Sequence, residues 1–257
     1  MGFNRFIVLG DSFSEGMCDE KVNGEYRGWA DRVADVMAQG NPDFTYANLA
    51  VRGKLLQQVI DDQIPEAKKF VTGKDTLISF HAGANDGLRP NYNPALAKQR
   101  YHDAVAELTA TGATVMLFTV LDRVDAKGKT ADLWHKRFSD FNIDVRETAK
   151  KYGAILNEAQ DAPWLADRRF IHTDRLHLNE QGHWRLSQGV LELLGLPFDS
   201  SWRIPLPPAL PKPKLQRITE NSIWIITFVI PWIWRRARGK SSGDGRRSKH
   251  SSPIKWS

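Results

Sequence analysis

Cysteine is almost absent: Cys18 is the only one among 257 residues. That excludes an intramolecular disulfide and a cysteine-built metal cluster, and it leaves Cys18 as an ordinary free thiol at the start of a loop. Long apolar runs are also missing. None reaches the roughly 18 consecutive residues that a spanning helix needs, and the most apolar stretch, IWIITFVIPWIW, covers only 223–234. A charged segment, an apolar segment and a cleavage site do not fit ahead of Gly10, so the first apolar run is read as a strand and a cytoplasmic location is expected. The body of the chain has no excess of one charge either. The net charge is +6, but residues 235–257 hold eight Lys/Arg against the single acid Asp244, whereas the rest balances 28 basic against 29 acidic residues. The basic character therefore belongs to the tail, and nucleic acid is not the expected partner of the body.

What is present is an alternation of strand and helix patterns. Buried-type runs at 5–9, 45–50, 76–80, 114–120 and 154–157 alternate with helical periodicity at 29–38, 55–70, 94–111, 132–151 and 179–194. Apolar residues recurring at three and four positions mark the helices, and short continuous apolar runs mark the strands. Pro94 suits a first helical turn and Asn179 an N-cap. Gly195 and Pro197 end the series. Repeated strand–helix units imply an α/β fold, a parallel sheet with helices on both faces. Ligands of such sheets bind beyond the carboxyl ends of the strands. The division expected is a main domain at 1–196, a proline-rich extended arm at 197–222, an apolar and aromatic segment at 223–239, and a basic, disordered tail at 240–257.

Gly10-Asp11-Ser12 stands at the carboxyl end of the first strand. A serine there is held rigidly with its hydroxyl at the cleft, but it needs a base, and the base needs a group that fixes its tautomer. The stretch HTDRLHLNEQGH at 172–183 offers Asp174 and His177 three residues apart, just before the last helix. His183 falls inside that helix and His172 has no carboxylate at the same offset, so His177 is the candidate base. Oxyanion donors are offered by two further strand-end loops, NLAVRG with Gly53 and HAGANDG with Asn85.

Gly10-Asp11-Ser12, Gly53, Gly83-x-Asn85-Asp86 and Asp174-x-x-His177 together resemble the four sequence blocks of the SGNH (GDSL) hydrolase family, in the family's order, over residues 5 to about 195. The resemblance implies a three-layer α/β/α, flavodoxin-like fold with a five-stranded parallel sheet. It implies Ser12 as nucleophile, His177 as base and then acid, and Asp174 as its orienting carboxylate. The backbone N–H groups of Ser12 and Gly53 and the amide of Asn85 would form the oxyanion hole. Phe13 stands where the family most often has leucine. A Gly-x-Ser-x-Gly elbow is absent, which disfavours the other large serine-hydrolase fold.

The reading is a serine hydrolase that cleaves a small or acyl-lipid carboxylic ester, with no metal or other cofactor required. Transfer of the acyl group to an alcohol would use the same residues. In an alternative of another class, the aromatic and basic C-terminal segment is the working part, as a peripheral membrane or interaction module. For that segment one reading docks its apolar side on the body or on a second subunit. The other lays 223–240 on an anionic membrane surface, at the inner face of the membrane. Gly239-Lys240-Ser241 is no phosphate-binding loop, because Trp234 stands where the required earlier glycine would be. Substrate choice is expected to rest on the loops at 17–27, 88–93 and 120–130, with Arg89 and Arg123 as cations that could meet an anionic group.

Overall fold

The computed structural model describes residues 2–122 and 127–257. Arg123, one of the two expected loop cations, lies outside the described residues. In chain order the elements are β1 (Arg5–Gly10), α1 (Ser12–Glu15), the small hairpin β2 (Lys21–Val22) and β3 (Glu25–Tyr26), α2 (Gly28–Ala38), β4 (Thr45–Asn48) and α3 (Leu56–Lys68). There follow β5 (Thr76–His81), α4 (Ala84–Gly87), α5 (Pro94–Ala110), β6 (Thr114–Phe118), α6 (Lys129–Tyr152), β7 (Ile155–Asn157) and α7 (Glu180–Leu193). The C-terminal part adds α8 (Lys214–Trp224), α9 (Ile230–Ala237) and β8 (His250–Lys255).

Five strands are parallel in the order β7-β6-β5-β1-β4, and β8 closes the β4 edge in the antiparallel sense. Counting only the parallel strands, the chain starts in the middle, steps one way to β4 and then the other way to β5, β6 and β7. This is the flavodoxin-like order, and the crevice at its switch point opens beside β1. The strands are buried on both faces, so each sends alternate side chains into a different core. Ile7 and Leu9 pack with Ile78 and Phe80 under α3, α5 and α6. Phe6 and Val8 pack with Leu77, Met116 and Phe118 under α2 and α7, where Trp29, Val33 and Val190 have no exposure.

Two expectations for the C-terminal part need correction. The sheet has six strands, because the segment expected to be disordered contributes β8. Its docking has clear physical causes: β4 would otherwise end the sheet with unpaired backbone groups, Trp256 packs on Tyr46 at 4.8 Å, and the Lys249 ammonium meets the buried Asp31 carboxylate at 2.7 Å. The extended arm also ends earlier than expected. It runs to Pro213, where α8 begins, and a π-helical turn (Ile225–Val229) carries α8 directly into α9. Pro231 explains the turn, since it has no N–H to return to the preceding helix, and the Ile230 N–H bonds to the Ile225 carbonyl one residue further back than in an α-helix.

Candidate active site

The mount for Ser12 is built at Gly10. Its φ of 146° is closed to other residues, and a Cβ there would collide with the carbonyl of His81 and the side chain of Ser14. The carboxamide of Gln63 clamps the same residue from α3, accepting its N–H at 2.8 Å and donating to its carbonyl at 2.9 Å. Asp11 then caps α1 by accepting the Phe13 N–H at 3.1 Å, which leaves Ser12 as the first residue of that short helix. Phe13 fills a cluster of rings, with centroids 4.2 Å from His81 and 5.5 Å from Phe118, so the larger side chain at this position is absorbed by packing.

His177 comes to this serine across the whole sequence. Its Nε2 lies 2.9 Å from Ser12 Oγ, and its Nδ1 lies 2.7 Å from Asp174 Oδ2. With a proton on Nδ1 donated to the carboxylate, Nε2 is the free acceptor that faces the serine hydroxyl. The other oxygen of Asp174 accepts the N–H groups of Leu176 at 2.9 Å and His177 at 3.1 Å. Burial alone would raise the Asp174 pKa. The His177 hydrogen bond and charge, with those two backbone donors, outweigh it and hold the carboxyl well below the usual range. The turn that brings Asp174 and His177 face to face runs through Arg175 at φ 63°, a strained left-handed conformation.

The expected oxyanion donors sit on both sides. Gly53 is in the loop after β4, and the neighbouring Arg52 fixes it by directing its N–H (2.6 Å) and its guanidinium onto the Glu15 carboxylate. Asn85 opens out of α4, and its amide donates to Asp11 Oδ2 at 3.0 Å and to the Lys54 carbonyl at 3.1 Å. The structure thus brings Ser12, His177 and Asp174 into one relay and puts Asn85 beside the residue preceding Ser12, with both amide hydrogens already used. His183 does not join. Its Nδ1 accepts the Trp29 N–H and its Nε2 faces the Met17 carbonyl, and burial pushes its pKa down to about 4, so it is a neutral core residue.

Against known proteins, a family model described as the GDSL-like Lipase/Acylhydrolase family matches residues 8–185. The chain belongs to that family. As a GDSL-like acylhydrolase it is an ester hydrolase, and the matched region holds every candidate residue named above. No curated protein sequence matches the chain. Among solved structures the fold is similar to the acetylxylan esterase Axe2 from Geobacillus stearothermophilus, with TM-score 0.59 and 15% identity over 77% of this chain and 98% of that one. It is also similar to the esterase EstA from Pseudoalteromonas sp. (0.58, 18%, 75% and 97%) and to a protein from Parabacteroides merdae (0.61, 13%, 76% and 97%). At such identities the likeness carries the fold alone.

Several groups at the site lie beyond what the sequence showed, and some lie outside the GDSL-like region. Cys18, at φ 75°, donates its thiol to Asp174 Oδ2 at 3.4 Å, and burial, then Asp174, pushes its pKa far up. His172 Nδ1 accepts the Asp174 N–H at 3.2 Å. Donor atoms of Cys18, His172 and Asp174 lie within 4.8 Å of one another. Each is already committed to these hydrogen bonds. From the C-terminal helix, Trp224 Nε1 donates to the Asp174 carbonyl at 2.8 Å, Asn221 accepts from Arg175 at 2.7 Å, and Phe228 meets His172 edge-on at 6.3 Å. Further along, Ser241 Oγ donates to the Gly53 carbonyl at 3.3 Å, and the space beside Gly53 that a side chain would occupy is filled by that serine. Burial and then the like charge of Arg89 push the pKa of Arg236 down. In the sequence only the stripe itself is visible, not its partner: Glu220, Trp224, Phe228, Trp232 and Arg236 recur at four-residue spacing, and all five are half-buried.

Proposed function

We propose that the protein hydrolyses carboxylic esters through an acyl-enzyme on Ser12. The observation that carries this reading is the continuous relay of 2.9 Å from Ser12 Oγ to His177 Nε2 and 2.7 Å from His177 Nδ1 to Asp174. Ser12 Oγ bonds to the ester carbonyl carbon while His177 Nε2 takes its proton, and the imidazolium is stabilised by the Asp174 carboxylate. The carbonyl oxygen, now negative, is met by the N–H groups of Ser12 and Gly53 and by the Asn85 amide, which exchanges one of its present partners for the oxyanion. The tetrahedral adduct collapses as His177 returns the proton to the leaving alkoxide, and the alcohol departs. Water, deprotonated by the same imidazole, then attacks the acyl carbon and frees the carboxylate and Ser12 Oγ. Every proton is carried by His177, so no further cofactor enters these steps.

Asp11 is assigned a positioning part, because its two oxygens hold the Phe13 N–H of the nucleophile turn and the Asn85 amide. The test is hydrolysis of p-nitrophenyl esters of graded acyl length by the wild type and by Ser12→Ala. The wild type turns over at least one member of the series, and Ser12→Ala loses activity by about three orders of magnitude or more at unchanged thermal stability. Equal rates for the two proteins would reject the assignment of Ser12.

A further inference from the structure

The C-terminal helix presents two faces with different fates. Its inner stripe is pinned to the site by the Trp224 indole on the Asp174 carbonyl, the Arg175 guanidinium 4.6 Å over the Trp224 ring, and Phe228 against His172. On its outer face Ile218, Ile226, Ile230, Ile233 and Trp234 are between 51% and 66% exposed, with the Arg238 guanidinium 4.3 Å over the Trp234 ring. Water would normally be spared contact with so many large apolar side chains set on one helix face. The helix therefore lies over the loop that holds His177 and turns its apolar side away from the body.

We propose that this outer face, with the cationic run that follows it, seats the protein on an anionic lipid surface, so that the cleft works beneath a helix lying in the interface. Three observations select this occupant. Arg235, Arg238 and Lys240 are all exposed directly beyond the apolar face, where they can reach headgroups while Ile and Trp side chains enter the acyl boundary. The one acid within 212–240 is Glu220, and it is held by Lys212 at 2.8 Å, so no free carboxylate opposes an anionic surface. Among the described residues no helix is long and apolar enough to cross a membrane, so a helix of this kind lies on a bilayer and does not traverse it. A second copy of the chain is a poorer fit. Lys212, Lys214 and Arg217 make the other end of the helix basic as well, so either parallel or antiparallel pairing sets cation against cation. The proposal concerns attachment and does not depend on the reaction assigned to Ser12.

The test is flotation of the full chain with vesicles of phosphatidylcholine alone or mixed with phosphatidylglycerol, beside the double variant Ile226→Asp/Ile230→Asp. Both positions are exposed and outside the reacting groups, so the variant keeps the wild-type melting temperature and its rate on a soluble ester. The wild type is expected to float with the phosphatidylglycerol vesicles at least tenfold more than with phosphatidylcholine, and the variant to remain at the bottom. Three results overturn the proposal: wild type that stays at the bottom with both vesicle types, equal flotation with both, or flotation of the variant at the wild-type level. Light scattering without lipid supplies a fourth, a wild-type dimer that the double variant dissolves, which would assign the face to a second copy. A wild type that floats yet hydrolyses none of the esters would count against the reading of Ser12 and leave the attachment standing.

Discussion

Asp174 shows at the scale of one residue how burial and pairing oppose each other. Its carboxylate is largely withdrawn from water, which favours the neutral form, yet His177 and two backbone N–H groups keep it charged. In the proposed reaction that balance lets it serve the imidazolium that forms when Ser12 gives up its proton. Replacing it by asparagine keeps the shape but removes the charge and inverts the hydrogen-bond demand on His177. Asp174→Asn is expected to lower kcat by about 10³–10⁴ with little change in KM, measured on a soluble ester. A loss smaller than tenfold would show that the carboxylate does not orient the base. At this scale the sequence was informative wherever a side chain is defined by neighbours close in the chain: Ser12 after its strand, and Asp174 three before His177. Cys18 and Trp224 were not legible as neighbours of the site, because each meets Asp174 through a contact between distant positions that no local spacing encodes.

Among the elements, β8 owes its existence to its neighbour more than to its own composition. HSSPIK is polar and contains Pro253, which only an edge strand accommodates. The unpaired edge of β4, the ring of Tyr46 and the buried carboxylate of Asp31 supply what the segment itself lacks. The parallel strands are the opposite case. Their runs of buried apolar residues placed β1, β4, β5, β6 and β7 from sequence alone, while a sixth strand of polar residues gave no such pattern. The Lys249–Asp31 pair that anchors β8 also carries a pH signature. Burial raises the Asp31 pKa to about 6, against the opposing pull of Lys249 and Tyr46. A carboxyl whose folded pKa exceeds its unfolded value contributes stability that is fully present below the unfolded pKa, near 3.9, and is lost as pH rises through about 6. Removing the counter-ion makes that loss larger. Lys249→Met is therefore expected to cost roughly 3 kcal/mol at pH 7.5, with a gap to the wild type that narrows toward pH 4.5, where Asp31 is protonated in both folded proteins. Urea unfolding at the two pH values measures this. A gap that is constant with pH would mean that Asp31 does not need Lys249 as its counter-ion.

Over the whole molecule, the chain after residue 195 wraps the hydrolase body in a single path. The arm leaves α7, the helix crosses the loop of Asp174 and His177, Ser241 and Gly243 settle on the Gly53 loop, and β8 enters the sheet beside β4. One continuous extension thus touches both the loop of Asp174 and His177 and the loop of Gly53. The doubly wound body was legible in the sequence because its period and its strand-end motifs are local. The path of the extension was not, because it follows from surfaces that exist only once the body has folded. All of these elements converge on one hydroxyl. The most direct test of the account is to treat the folded protein with a fluorophosphonate, which the activated serine attacks at phosphorus with loss of fluoride, and to locate the adduct by peptide mass spectrometry. A single adduct is expected on the peptide containing Ser12, absent from Ser12→Ala and strongly slowed in His177→Ala. An unmodified wild type, or an adduct elsewhere with Ser12 untouched, would contradict it.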